Sequence, residues 1–293
     1  ALLLRFLAER RQSAVVELDL DDLTPDKVIA FLDHLEADRR NSTLTRNARL
    51  AAIHAFARYV ATSHPDQLEL CQRILAVPFK RARHRLVEYL EADEIRALLD
   101  APDGTTQDGR RDRTLILALF NTGARVQEIL DVRPCDLQLV RPLQIRLHGK
   151  GRKERLCPLW PQTAEALQAM LTDRGLEPDS TQPLFRNQRG TPLTRFGARL
   201  ILQRHVRRAA QRVPSLLHKR IHPHSLRHST AVHLLKSGVD LSTIAHWLGH
   251  AGIQTAHKYV AVDLEGKRAA LAKAQPVLSQ STKPPRWRTD QDL

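Results

Sequence analysis

Hydrophobic positions along the chain fall into short, mostly helical periods separated by polar or proline-bearing breaks. Thr24-Pro25-Asp26 reads as a helix start with Pro25 at the first helical position, and Val28, Ile29, Phe31, Leu32 and Leu35 follow at helical spacing. A second helix is predicted over residues 42–61. Its inward positions are Leu44, Leu50, Ile53, Phe56, Ala57 and Val60, with Arg46, Arg49 and Arg58 on the wetter side. A short helix over 67–75 ends near Pro78. Then Phe79-Lys80-Arg81-Ala82-Arg83-His84-Arg85 carries four basic residues in seven, with no apolar period. It reads as an extended basic linker, or equally as a solvated loop.

Past Glu88 the pattern resumes. Helices are predicted over 91–99, 113–121 and 126–131, with a polar loop over 103–111 and a stop at Thr122-Gly123. Residues 143–147 alternate apolar and polar as a half-buried strand does. His148-Gly149-Lys150-Gly151-Arg152-Lys153 makes a glycine-bearing tip, and 154–158 returns, so a β-hairpin is expected. Residues 163–172 read as helix and 174–191 as loop. Further helices are expected over 195–211, 223–237, 241–248, 253–260 and 264–274, then a flexible tail over 276–293. The fold class is therefore mainly α with a small β-hairpin or sheet. The domain expectation is a helical unit over 1–78, a basic linker over 79–87 and a mixed α/β unit over 88–275.

Composition narrows the class. Of 293 residues 42% are hydrophobic but only 4% aromatic, so leucine and alanine must fill the core, which favours helices. Net charge is +14, which points to a polyanionic partner. No run is long and apolar enough for a membrane span, so a nucleic acid is the better match than a membrane. Residues 1–86 carry +3 and residues 87–293 carry +11, placing most of the excess in the second part. Cys71, Cys135 and Cys157 are odd in number and widely spaced, which argues against a disulfide framework or a cysteine zinc site and suits a reducing cytoplasm.

The chemistry concentrates between Arg199 and His228. That window holds eight Lys or Arg residues, no acidic residue and five histidines. A solvated face normally mixes signs, so this one reads as a phosphate-backbone surface. Inside it, His224 and Arg227 stand three apart behind Pro223, at a helix N-terminus that itself favours anions. The arginine fork matches phosphate oxygens and the histidine can move a proton. Leu248-Gly249-His250 follows, and Tyr259 stands nine residues beyond His250. A tyrosine is a poor nucleophile at its ordinary pKa of about 10 and needs cationic help. Arg125 sits at a helix break after Thr122-Gly123-Ala124, with Glu128 placed to hold it. Lys150 sits at the hairpin tip, which Arg152 and Lys153 share. A zinc site from His222, His224 and His228 is disfavoured by loose spacing and the lack of a neighbouring Cys or acidic ligand. His228, His233 and His246 read as structural, and Trp247 as a core residue.

Taken in order, Asn121-Thr122-Gly123-Ala124-Arg125-Val126-Gln127-Glu128, Gly149-Lys150-Gly151-Arg152-Lys153-Glu154-Arg155, His224-Ser225-Leu226-Arg227-His228, Leu248-Gly249-His250 and Tyr259 resemble the tyrosine recombinase (phage integrase) family, including its Xer-type members. Ala124 stands where the family often has a larger apolar residue. The resemblance spans about residues 88–274. It implies a helical N-terminal core-binding domain and a mixed α/β catalytic domain. It implies that Arg125 and Arg227 clamp the scissile phosphate, that His224 assists the nucleophile's proton, and that Lys150 is the general acid. His250 would hydrogen-bond the phosphate, and Tyr259 would attack to leave a 3′-phosphotyrosine. No cofactor or metal is implied, because the covalent link conserves the phosphoester energy.

The implied partner is double-stranded DNA, with four protomers on two sites. The residues expected at the DNA backbone are Arg46, Arg49, Lys80, Arg81, Arg83, Arg152, Lys153, Arg204, Arg207, Arg208, Lys219 and Arg220. A narrow stripe of Leu264, Ala269, Leu271 and Ala272 fits a helix docked on a neighbour or packed on its own domain. Two other readings stay open: a catalytically silent DNA-binding regulator of the same fold, and a type IB topoisomerase. The complete catalytic set disfavours the first, and the short two-part chain the second.

Overall fold

The computed structural model describes residues 2–81, 87–149, 151, 153–249 and 252–260. The predicted linker positions 82–86 (with Arg83), the tip residues Lys150 and Arg152, His250, the helix expected over 264–274 and the tail over 276–293 lie outside the described residues. The chain divides into two units, Ala1–Arg85 and Leu86–Leu293.

The first unit is helical: α1 (Leu2–Arg11), α2 (Pro25–Ala37), α3 (Thr43–Ser63) and α4 (Leu68–Leu75). Thr24 caps α2 by accepting from the Lys27 amide, with Pro25 at the first turn as expected. Ser42 caps α3 in the same way. Val28, Phe31, Leu32 and Leu35 of α2 meet Leu50, Ile53, Ala57 and Val60 of α3 in one apolar core.

Three expectations for α3 are corrected. Leu44 and Phe56 are exposed, because the buried stripe runs through Arg46, Leu50, Ile53, His54, Ala57 and Val60 instead. Arg46 is buried rather than facing a ligand. Its stem lies in the core, and its guanidinium donates to the Pro78 carbonyl at 3.1 Å. Asn47 holds the next stretch by donating to the Lys80 carbonyl and accepting the Lys80 amide. Lys80 is exposed but pairs with Glu36.

The second unit begins with α5 (Ala92–Asp100), α6 (Gln107–Thr122) and α7 (Val126–Leu130). A three-stranded antiparallel meander follows, in the order β1 (Leu137–Gln138), β2 (Gln144–His148) and β3 (Glu154–Pro158). The hairpin pairs Gln144 with Pro158 and His148 with Glu154, which sets the described residues Gly149, Gly151 and Lys153 at its tip. Strand β1 carried too little alternation to be predicted. Then come α8 (Pro161–Asp173), α9 (Arg195–Ala209), α10 (Pro223–Lys236), α11 (Leu241–Leu248) and α12 (His257–Val260). Leucine-rich faces of α5–α9 and the sheet share one core, while Ala231, Val232, Ile244, Ala245, Leu248, Ala256 and Tyr259 form a second cluster.

The expected polar loop over 103–111 is shorter than predicted. Thr106 accepts from the Gly109 amide and starts α6 at Gln107, so Arg111 and Asp112 lie in a helix and are buried. Asp112 is fully enclosed. It accepts from Arg111 Nη2 at 2.6 Å and Arg204 Nη2 at 2.5 Å, and its Oδ2 meets His205 Nε2 at 2.8 Å. Burial alone raises this carboxyl, but His205 and Arg111 together hold it below its ordinary value. The cluster ties α9 to α6.

Asp112→Ala strips a buried guanidinium and imidazole of their shared acceptor, so a loss of about 3 kcal/mol is expected in urea unfolding. Because the folded carboxyl is held low, its contribution is full above the unfolded pKa and disappears as pH falls through the folded one. Acidification should therefore cost wild type more stability than the variant. A variant as stable as wild type removes the cluster from any structural role.

Candidate functional site

The site forms where α6, α10 and α11 end or begin. Helix α6 stops at Gly123, whose φ of +57° is left-handed and whose missing Cβ leaves room for Leu248; a Cβ there would lie 2.4 Å from Leu248 Cδ2. Helix α11 stops the same way at Gly249, with φ +63°. Both ends turn their last carbonyls toward α10. Arg227 spans them: Nη1 donates to the Gly123 carbonyl and Nη2 to the Leu248 carbonyl, each at 2.7 Å. The carbonyl-rich ends of helices carry partial negative charge, which offsets the cost of burying this cation. That cost is still visible, because burial and then the charge of Arg125 lower its pKa to about 10. Arg227 is among the largest fully enclosed side chains.

Arg125 occupies the N-cap of α7. Its backbone amide donates to Glu128 Oε2 and its Nη1 to Glu128 Oε1 at 2.8 Å, so the same carboxylate fixes both ends of the residue. Its side chain stays 47% exposed, which leaves a guanidinium face open to a ligand. Glu128 is buried and also accepts from Arg155 Nη2 at 2.7 Å. Burial pushes the Glu128 carboxyl up, but Arg155 and Arg125 outweigh it and hold the group below its ordinary value. Arg155 in turn donates through Nε to the Trp247 carbonyl at 3.1 Å, and Trp247 Nε1 donates to the Asn121 carbonyl at 3.3 Å. Trp247 is half-buried against the core. Arg155 was not singled out from the sequence, although the period of β3 puts it on the same face as buried Cys157.

Pro223 sits in the first turn of α10, and His222 caps it by accepting the Ser225 amide. His224 is exposed, and its ring lies edge-on to His228 at 4.7 Å. Tyr259 on α12 is fully buried. Its hydroxyl lies 3.0 Å from His228 Nδ1. Burial pushes the phenol up to about 12, against a smaller downward pull from the Arg227 charge. His233 and His246 are structural, with ring nitrogens on the Leu90 and Ser242 carbonyls. His228 departs from that expectation because it faces Tyr259. Its spacing of four from His224 on one helix was the available signal.

Of the residues expected to contact DNA, Arg49, Arg81, Lys153, Arg207, Arg208 and Arg220 are exposed. Arg204 is half exposed while paired to Asp112. Lys219 is corrected to a brace: its ammonium donates to Glu94 at 2.6 Å and to the Tyr89 carbonyl at 2.9 Å. Among the described residues no cluster of three His, Cys, Asp or Glu side chains is arranged to hold a metal ion. No helix among them is long and apolar enough to cross a membrane.

Comparison with known proteins identifies the family. Residues 88–265 match the phage integrase family. A putative integrase/recombinase y4rC of Sinorhizobium fredii is 38% identical over 99% of this chain and 86% of its own length. A tyrosine recombinase XerC of Pelobacter propionicus is 34% identical over 92% of this chain and 83% of its own length. Among solved structures, the XerH site-specific recombinase in a post-cleavage complex with palindromic difH substrate has a TM-score of 0.70 at 23% identity, covering 89% of this chain and 74% of that one. The Tn1549 transposon integrase with transposon right-end DNA has a TM-score of 0.71 at 16% identity, covering 94% and 91%. At such identities the two structures speak for the fold.

Glu128→Gln keeps the shape but removes the charge that two guanidinium groups share. A loss of about 2–3 kcal/mol in denaturant unfolding is expected. The wild-type margin should shrink on acidification, because a carboxyl with a depressed folded pKa stabilises only while ionised. Equal stability at neutral pH would show that the carboxylate does not hold Arg125 and Arg155.

Proposed function

Because the chain belongs to the phage integrase family and is a tyrosine recombinase, an enzyme of site-specific DNA recombination, we propose that Tyr259 is its nucleophile and that Arg125 and Arg227 hold the scissile phosphate. One observation supports this most: a cation fixed across two helix ends, with a second guanidinium exposed beside it and the only tyrosine of the C-terminal segment packed beneath. Two donors of Arg227 anchor it, and its guanidinium carries others for a phosphate oxygen. A positive charge held rigidly before the reaction stabilises the crowded phosphorus without reorganisation. Glu128 supports Arg125.

The remaining assignments follow from the family order of residues. His224 faces solvent at the helix N-terminus and serves the phosphate. Lys150 protonates the leaving 5′ oxygen, and His250 hydrogen-bonds the phosphate. The product of the first step is a 3′-phosphotyrosine and a free 5′-hydroxyl, and attack by a second 5′-hydroxyl reverses it. The first unit over 1–78 acts as a core-binding (DNA-clamp) domain, followed in the chain by the basic linker over 79–87 and the catalytic domain over 88–275. Arg49, Arg81, Arg83, Arg152, Lys153, Arg204, Arg207, Arg208 and Arg220 contact the phosphate backbone, and Lys80 joins them by leaving Glu36. The working assembly is a homotetramer on two double-stranded sites, in the cytoplasm at the nucleoid.

A nicked suicide duplex carrying the cognate site should trap a covalent adduct at Tyr259, detected by a mobility shift and peptide mapping. An adduct from Tyr259→Phe would sink the nucleophile assignment. Arg125→Ala and Arg227→Ala should each slow adduct formation by about 10²–10³-fold with far less effect on binding; equal loss of both would indicate a structural role. Affinity should fall steeply between low and physiological salt, as counterion release requires. An affinity that barely moves would argue against phosphate contacts dominating.

A further inference from the structure

We propose that His228 is the group that accepts the Tyr259 proton as the hydroxyl attacks. The inference rests on the reading of Tyr259 as nucleophile.

A general base must lie within hydrogen-bond reach of the proton it takes, and His228 Nδ1 stands 3.0 Å from Tyr259 Oη. The hydroxyl is fully buried, and its ring is packed among Ala231, Val232, Ile244, Ala245, Leu248 and Ala256. Bulk water has no access to that proton, so a protein group already in contact, as His228 is, suits the role of acceptor. Burial compounds the need by pushing the phenol up to about 12. His228 is only half-buried, so it can pass the proton on to solvent. In the tautomer with its proton on Nε2, Nδ1 accepts from the tyrosine hydroxyl, and that is the form that can take up the proton.

Helix geometry supplies the remaining arrangement. His224, Arg227 and His228 stand at i, i+3 and i+4 of α10 and share a face. The buried Arg227 charge favours the phenolate that forms. Among the described residues, Tyr259 from α12 and His224 from its own helix face His228, and His222 at the cap faces His224. Arg125, Glu128 and Arg155 act on Arg227 from α7 and β3. On α11, His246 is turned to its own Ser242 carbonyl.

In the forward step the Oη–H bond breaks and the proton moves to Nδ1. The Oη–phosphorus bond forms, the bond from phosphorus to the 5′ oxygen breaks, and that oxygen takes a proton from the Lys150 ammonium assigned above. In rejoining, protonated His228 returns its proton to the departing phenolate. His224 is then left to the phosphate, which its exposed position suits.

The test uses the full chain, a nicked suicide duplex and single-turnover adduct formation between about pH 6 and about pH 9. His228→Asn keeps a hydrogen-bonding atom near Nδ1 but takes up no proton. It should bind DNA as wild type does and cleave about 10²–10⁴-fold more slowly at neutral pH. Its rate should climb about tenfold per pH unit while the wild-type rate levels off once His228 is neutral. A 5′-bridging phosphorothiolate, whose thiolate leaves without an acid, should rescue Lys150→Ala and not His228→Asn. An Asn variant with the wild-type rate and profile, or one rescued by the phosphorothiolate, overturns the assignment. Should the Asn variant fail to fold, His228→Gln undergoes the same measurements with the same two outcomes. Tyr259→Phe run in parallel separates the claims: an adduct there defeats the nucleophile reading, whereas an inert Phe variant beside a fully active His228→Asn defeats only this one.

Discussion

The fork of Arg227 across the Gly123 and Leu248 carbonyls is the interaction on which the site depends. It joins the ends of α6 and α11 to the first turns of α10, at 2.7 Å on each side. A lysine has one compact ammonium and cannot reach two separate carbonyls in this fixed geometry. The arrangement is possible only because both helices end in left-handed glycines, one of which packs directly on Leu248. Burying the guanidinium is costly, and the two helix ends supply the negative partial charge that offsets it.

Around that fork the charges are arranged as a chain. Glu128 takes Arg125 on one oxygen and Arg155 on the other, and Arg155 reaches the Trp247 carbonyl one residue before Leu248. The carboxylate therefore connects the exposed guanidinium of Arg125 to the same helix end that anchors Arg227. Preorganisation follows, since Arg125 has both its backbone and its side chain fixed before any phosphate arrives. The Asp112 cluster uses similar pairs to a different end. It lies between α6 and α9, is enclosed, and holds two helices together.

Tyr259 is the least accessible of the described site residues. Tyr259 contributes its ring to an apolar cluster and its hydroxyl to His228, so chemistry at that oxygen needs a proton acceptor within the protein. Helix α10 therefore carries, along one face, an exposed histidine, a buried cation and a histidine against the tyrosine.

The sequence by itself determined the local features. Pro25 and Pro223 at first turns, the stop at Gly123, the hairpin of β2 and β3, and the helices from α2 to α11 follow from spacing and turn chemistry, which act over a few residues, whereas α1 was not read from the sequence. The order of Arg125, Glu128, His224, Arg227 and Tyr259 was legible because each stands in a motif with its own local signature. What spacing did not settle was which polar groups the packing encloses. Arg46 and Lys219 look like exposed cations in the sequence, yet one lies in the α3 stripe and the other braces Glu94. Arg155 and His228 look ordinary, yet they contact Glu128 and Tyr259, which lie 27 and 31 residues away. Such contacts depend on how helices and strands pack after they form, and no local period encodes them. Tertiary structure alone decided them, because burial and pairing of charge depend on neighbours that the chain brings together only when folded.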